Sequence, residues 1–151
     1  RCYCGNFGCL ETIASNTAII QRAKSLLAQG YQSELTASTC TITEICTAAN
    51  QGDLLAQHLI KDVGYHLGKA LAMMINLFNP QKIVLAGEIT AAENILFPVI
   101  QRCIDTQVLN DFRRNLPVVR SQLDNRSAIG AFALAKRAML NGLLLQHLLG
   151  E

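Results

Sequence analysis

Cys2, Cys4 and Cys9 fall in one short run, Cys2-Tyr3-Cys4-Gly5-Asn6-Phe7-Gly8-Cys9-Leu10-Glu11. Thiols at this spacing suit a tight knuckle around a soft cation, and thiolate sulfur is a preferred zinc donor. Gly5 and Gly8 can adopt positive φ, so the backbone can turn back and let the three sulfurs converge. Structural zinc takes about four tetrahedral ligands, and this run supplies three. Either the fourth lies elsewhere in the chain or the chain begins inside the motif. An opening at Arg1, without Met, favours a chain cut from a longer protein. His58 and His66 are in-chain alternatives for the missing ligand, although both sit in helical patterns. The bland alternative is three reduced cysteines in a loop. A catalytic thiol fits less well, because no histidine lies nearby in sequence to act as its base.

Composition narrows the classes. The chain has 151 residues, half of them hydrophobic, enough to bury a core as one domain or one lobe of a larger one. The net charge of +2 is dispersed, and no basic stripe of the kind that displaces counterions from DNA is visible. No apolar run approaches the roughly 18–20 residues that span a bilayer; the longest candidate, Leu67–Phe78, is interrupted by Lys69 and Asn76. Six cysteines raise the possibility of a disulfide framework. Three are clustered too tightly to pair neatly and Cys40, Cys46 and Cys103 are scattered, which favours a reduced protein with one metal site.

The elements that would carry these residues follow from periodicity. Ile19, Ile20, Ala23, Leu26 and Leu27 make an apolar stripe that predicts a helix from Thr17 to Gln29, with Asn16 as N-cap and Gly30 as stop. Residues 31–40 read as a polar surface excursion. Thr41-x-x-Glu44 is a capping box opening a helix to about Asn50. Gly52 breaks it, and Asp53 caps a long helix through Phe78 whose pattern predicts an exposed start and an end buried against a sheet. Asn79-Pro80 stops it. Lys82–Gly87 reads as a buried strand, followed by a helix from Ala91 to Val108 interrupted near Pro98. Pro117–Leu123 reads as a second strand, Ser127–Leu140 as a helix of small residues suited to close packing, and Leu143–Leu149 as an amphipathic tail. Helices alternating with few strands indicate an α/β lobe, and two strands form a poor sheet alone, so further strands are expected from outside the chain.

Two motifs carry a family resemblance. Cys-x-Cys-Gly-x-x-Gly-Cys-x-Glu at Cys2–Glu11 resembles the zinc signature of the ROK family, which groups sugar-responsive bacterial repressors with sugar kinases. Asn76-Leu77-Phe78-Asn79-Pro80-Gln81-Lys82-Ile83-Val84-Leu85-Ala86-Gly87 is similar to the family's Asn-x-x-Asn-Pro segment. Gly130-Ala131-Phe132-Ala133-Leu134-Ala135 resembles its closing helix. The resemblance implies the C-terminal lobe of an actin-like ATPase (ribonuclease H-like) fold with an incomplete sheet. It implies structural zinc held by Cys2, Cys4 and Cys9 with a histidine upstream of the chain, and a sugar contact at Glu11. Without the resemblance, Glu11 reads as a solvated charge in a first helical turn.

Among family members the likeness is greatest to amino-sugar-responsive repressors, with glucose-responsive ones the nearest competitor. The implied whole protein is cytoplasmic and homo-oligomeric. It would bind operator DNA through a winged helix-turn-helix that is not in this chain, and be released by a sugar phosphate, N-acetylglucosamine 6-phosphate. The alternative is the C-terminal lobe of an ATP-dependent sugar kinase. Family kinases carry Gly-Gly and a small residue after the strand, where this chain has Ala86-Gly87-Glu88. The added Cβ and the carboxylate both oppose a nucleotide phosphate at that turn.

Overall fold

The structure, a computed structural model, describes residues 1–123 and 126–141. The chain divides into two compact units, Arg1–Arg120 and Ser121–Glu151. In the first unit, after an opening knuckle, the order is α1 (Glu11–Ala14), α2 (Asn16–Ala28), α3 (Ile42–Gln51), α4 (Leu54–Phe78), β1 (Ile83–Leu85), a 3₁₀ turn (Glu88–Ala92), α5 (Glu93–Gln107), α6 (Asn110–Arg113) and β2 (Val118–Arg120). In the second unit the described element is α7 (Arg126–Leu140).

Side-chain caps set several boundaries. Ser15, not Asn16, caps α2: its hydroxyl accepts the Ala18 N–H at 3.2 Å, while Asn16 already lies inside the helix and turns its amide to Glu88. The Thr41–Glu44 capping box forms in full. Asp53 caps α4 through the Ala56 N–H at 2.8 Å and also receives Ser33 Oγ and the Glu34 N–H at 2.8 Å. That second use pins the 31–40 segment, which is irregular as expected but not wholly superficial. Leu35 and Cys40 are buried in the core, because apolar side chains in a tethered loop gain by reaching inward.

The core lies between α2, α3, α4 and α5, with Ile19, Ile42, Ile45, Leu59, Ile60, Ile75, Leu96, Ile100 and Ile104 almost fully buried. Gly64 and Gly68, one turn apart on α4, let α5 approach closely. A Cβ on Gly68 would fall 2.7 Å from the Cys103 Cβ, and one on Gly64 would fall 3.2 Å from the Val99 Cβ.

α4 does not grade from an exposed start to a buried end. It keeps one buried face throughout, with Leu55, Ala56, Leu59, Ile60 and Val63 buried in its first half and Leu71, Ala72 and Ile75 in its second. Met73, Met74, Leu77 and Phe78 near its end are exposed. Among the described residues the sheet has only two strands. These pair in parallel, Ile83 with Val118, Val84 with Val119 and Leu85 with Arg120, and α5 lies in the connection between them.

Pro98 does not interrupt α5, which runs unbroken from Glu93 to Gln107. Pro98 is the sixth residue of the helix, so one i→i−4 bond, to the Asn94 carbonyl, is missing while the helix continues. The short α6, within a stretch expected to be loop, starts where Asn76 holds the chain. The Asn76 amide donates to the Gln107 carbonyl at 2.9 Å and accepts the Leu109 N–H at 3.1 Å. The first asparagine of the Asn-x-x-Asn-Pro segment thus ties the end of α5 to α4, and the second, Asn79, closes α4 in the left-handed conformation at φ 43°.

In α7 the small residues foreseen for close packing are exposed, as are Ile129, Phe132 and Leu134. The amphipathic tail at Leu143–Leu149 lies outside the described residues.

Candidate metal centre

The opening knuckle is built by two glycine turns. Gly5 at φ 90° and Gly8 at φ 74° occupy the left-handed region, where a Cβ would be strained. The Cys2 N–H donates to the Asn6 carbonyl at 2.8 Å and the Gly5 N–H to the Cys2 carbonyl at 3.0 Å, closing the loop on itself. Cys9 is then fixed from the other side, since its carbonyl accepts the Thr12 N–H at 3.0 Å and the Thr12 hydroxyl at 2.7 Å.

The result is convergence: the sulfurs of Cys2, Cys4 and Cys9 lie within 4.8 Å of one another. The Cys4–Cys9 separation is 3.7 Å. A tetrahedral zinc with Zn–S bonds of about 2.3 Å places its sulfurs about 3.8 Å apart, so this edge already matches the metal's geometry. Cys2 is buried, Cys4 exposed and Cys9 intermediate. The donor set therefore fits zinc on three sides, and the chemistry of three soft donors excludes magnesium or calcium, which take oxygen.

The thiols also divide a proton problem among themselves. The Asn6 backbone N–H, followed by the neighbouring thiols of Cys2 and Cys9, holds Cys4 below the ordinary thiol range. Cys9, in contact with the Cys4 sulfur, is pushed up to about 11. Crowded sulfurs cannot all ionise unaided, and a divalent cation would supply the missing charge while displacing their protons. Burial pushes Cys40, Cys46 and Cys103 up instead, as expected of packing residues.

His58 and His66 stand apart from the cluster. His58 is exposed on α4, and His66 meets Asp62 at 3.9 Å and the edge of Tyr65. Among the described residues, the three cysteines are the sole group of metal-ligating side chains.

Glu11 is the first residue of α1 and is exposed. It lines a groove of 570 Å³ together with Arg1, Cys2, Tyr3, Thr12 and Gln21, among others. The groove thus joins the knuckle to the carboxylate, since Cys2 and Glu11 both line it alongside hydroxyl and amide side chains. The volume is in the range of small-molecule sites, about 300–1,000 Å³. Sequence reasoning singled out Glu11 but not Arg1, Thr12 or Gln21. Thr12 and Gln21 lie on α1 and α2, and Arg1 precedes the knuckle, so no single local pattern marks them.

The Ala86-Gly87-Glu88 turn does not line this groove, although Glu88 touches Asn16, which lies between the lining residues Ser15 and Thr17. Gly87 has φ 129° and ψ 162°, a conformation reserved for glycine. Glu88 starts the 3₁₀ turn and its carboxylate accepts the Asn16 amide at 3.2 Å. The turn holds a fixed negative charge with its own protein partner.

Comparison with known proteins matches this architecture closely. The chain is 68% identical over 149 residues to the DNA-binding transcriptional dual regulator NagC of Escherichia coli (strain K12), covering 99% of this chain and 37% of the relative. It is 46% identical over 149 residues to the DNA-binding transcriptional repressor Mlc of the same strain, again 99% of this chain and 37% of the relative. A solved ROK family transcriptional regulator, a homolog of the E. coli MLC protein, superposes with a TM-score of 0.88 at 41% identity, over 100% of this chain and 38% of that one. The chain therefore spans somewhat over a third of the length of these relatives, and its fold is the helix-rich part of an actin-like ATPase fold. The ROK family profile matches residues 1–138, and the chain belongs to the ROK family.

Proposed function

We propose that the chain is the C-terminal part of the effector-binding and oligomerisation region of a sugar-responsive transcriptional repressor. The observation that carries this is that one of three convergent thiols, Cys2, lines the same groove as Glu11. Zinc, held by Cys2, Cys4, Cys9 and a ligand outside the chain, fixes the knuckle that leads into α1, whose first residue is Glu11. An ionised carboxylate offers two acceptor oxygens to adjacent sugar hydroxyls. The zinc's role is structural, holding Glu11 in register rather than polarising a substrate. The similarity to NagC favours an amino-sugar phosphate, N-acetylglucosamine 6-phosphate, as effector.

In the whole protein, the sugar must bind the DNA-free conformation more tightly than the DNA-bound one, since a ligand with equal affinity for both shifts nothing. The DNA-contacting domain, homo-oligomer formation and a cytoplasmic location belong to this reading of the parent protein. The kinase alternative is opposed by the Ala86-Gly87-Glu88 turn, where Glu88 sets a carboxylate and Ala86 adds a Cβ, both unfavourable to a nearby nucleotide phosphate.

Glu11→Ala tests the assignment. In the full-length protein, calorimetry should show weaker binding of the sugar phosphate by about ten- to a hundredfold, as for a charge-assisted hydrogen bond of about 1.5–3 kcal/mol. Thermal unfolding should be unchanged, because Glu11 is exposed. Unaltered sugar affinity in the folded variant would remove Glu11 from the site.

A further inference from the structure

We propose that Cys4 and Cys9 form an oxidation-sensitive pair, which a peroxide converts to a disulfide that opens the metal clamp.

Three observations converge on this pair. The Cys4 and Cys9 sulfurs are 3.7 Å apart, already in contact. Cys4 is exposed and Cys9 partly so, whereas Cys2 is buried and its backbone is held by Asn6. Between them, Gly5 and Gly8 have open space where a Cβ would stand. Joining the sulfurs requires them to close to about 2.05 Å, a movement of under about 2 Å. The two glycines can absorb it without displacing a packed neighbour. Cys40, Cys46 and Cys103 are buried in the helical core, out of reach of an oxidant in solvent.

The chemistry balances with hydrogen peroxide as oxidant. The Cys4 thiolate attacks one peroxide oxygen, the O–O bond breaks, and Cys4 becomes a sulfenic acid as hydroxide leaves. The Cys9 sulfur then displaces that hydroxyl: the S–O bond breaks, the S–S bond forms and water departs. Two thiols and one peroxide give one disulfide and two waters, the sulfurs losing two electrons.

The consequence for the metal, which rests on the zinc reading above, is severe. A single two-electron event removes two of the three sulfur donors and leaves Cys2 alone. The Cys9 carbonyl accepts both hydrogen bonds from Thr12, so a shift of Cys9 also moves the start of α1, where Glu11 projects. Oxidation would thereby detune the groove as it releases the metal.

The test uses the full-length protein, reduced and loaded with zinc, exposed to hydrogen peroxide and then blocked with iodoacetamide. Chymotrypsin, cutting after Tyr3 and Phe7, places each of the three cysteines on its own peptide. Mass spectrometry should find Cys4 and Cys9 cross-linked and Cys2 alkylated, with zinc appearing in a chromogenic chelator in step with the cross-link and both reversed by dithiothreitol. In Cys9→Ser, dimedone should capture a sulfenic acid at Cys4. Cross-links through Cys2, or Cys4 and Cys9 both alkylated after oxidation, would overturn the proposal. A protein that holds no zinc yet links Cys4 to Cys9 defeats the metal reading and leaves the pair standing. A zinc-loaded protein whose thiols survive peroxide does the reverse.

Discussion

Gly68→Ala offers the sharpest test of how the two longest helices are held together. In an exposed helix, replacing glycine by alanine stabilises by about 1 kcal/mol. At Gly68 the new Cβ would lie 2.7 Å from the Cys103 Cβ, 2.9 Å from its Sγ and 3.2 Å from the Ile100 Cα. Carbon atoms pack best at about 3.5–4.0 Å, so the overlap approaches 1 Å. Two of the obstructing atoms are a Cβ and a backbone Cα, which no rotamer change can move. Relief requires α5 to shift away from α4 along a seam that carries Leu59, Ile60, Leu96 and Ile100. Overpacking of this kind costs about 1–3 kcal/mol, and a clash with backbone falls at the upper end. Subtracting the helix gain leaves a net loss of about 2 kcal/mol. With a urea dependence of about 2 kcal/mol per molar, the unfolding midpoint should fall by about 1 M. Gly130→Ala is the internal control. It lies within α7 with nothing inside 4 Å of the added methyl, so that variant should be unchanged or slightly more stable. A Gly68→Ala midpoint equal to or above that of the parent would show that α4 and α5 are not in the close contact described.

Three further outcomes follow from the same structure. Burial pushes the Asp53 carboxyl up, but the Ala56 and Glu34 N–H groups and the Ser33 hydroxyl together outweigh it, so its pKa lies below the ordinary 3.8. The stability it contributes is therefore present above pH 3.8 and lost as pH falls through the lower, folded value; Asp53→Asn should retain much of the cap while flattening this acid limb in denaturation curves measured across pH. Asn76→Ala removes two neutral hydrogen bonds that join α4 to the end of α5, for a loss of about 1–2 kcal/mol, with faster amide exchange at Leu109 as its local signature. Chelation of zinc from the full-length protein should accelerate chymotryptic cleavage after Tyr3 and Phe7 relative to the metal-loaded form, as both aromatics are exposed on the knuckle; equal cleavage rates would argue against a metal-ordered loop.

Much of the site was legible in residue type and spacing. Three cysteines and two glycines in one run specify a knuckle because only glycine tolerates the turns, and only convergence gives clustered thiols a shared purpose. The capping box at Thr41 and the cap at Asp53 were equally readable, since each is satisfied within one helical turn. The misread elements depend on distant partners. Ser15 displaced Asn16 as cap because the Asn16 amide is engaged by Glu88, far along the chain. Pro98 leaves α5 unbroken although it forfeits one hydrogen bond, because Leu96, Ile100 and Ile104 on the same helix are held in the core, a packing that no local pattern shows.

The sequence alone determined that α4 is apolar toward its end, but not what that surface meets. Periodicity reports which residues avoid water in the finished protein, whereas only coordinates report which neighbours this stretch of chain provides. The same division holds at the knuckle. Residue types determined that Cys2, Cys4 and Cys9 can bind a soft metal. Only the tertiary structure decided that Cys4 and Cys9 are the touching, accessible pair, that Cys2 is buried, and that Glu11 shares a groove with Cys2, because those relations arise from the fold of the loop against α1 and α2 and are written in no local pattern.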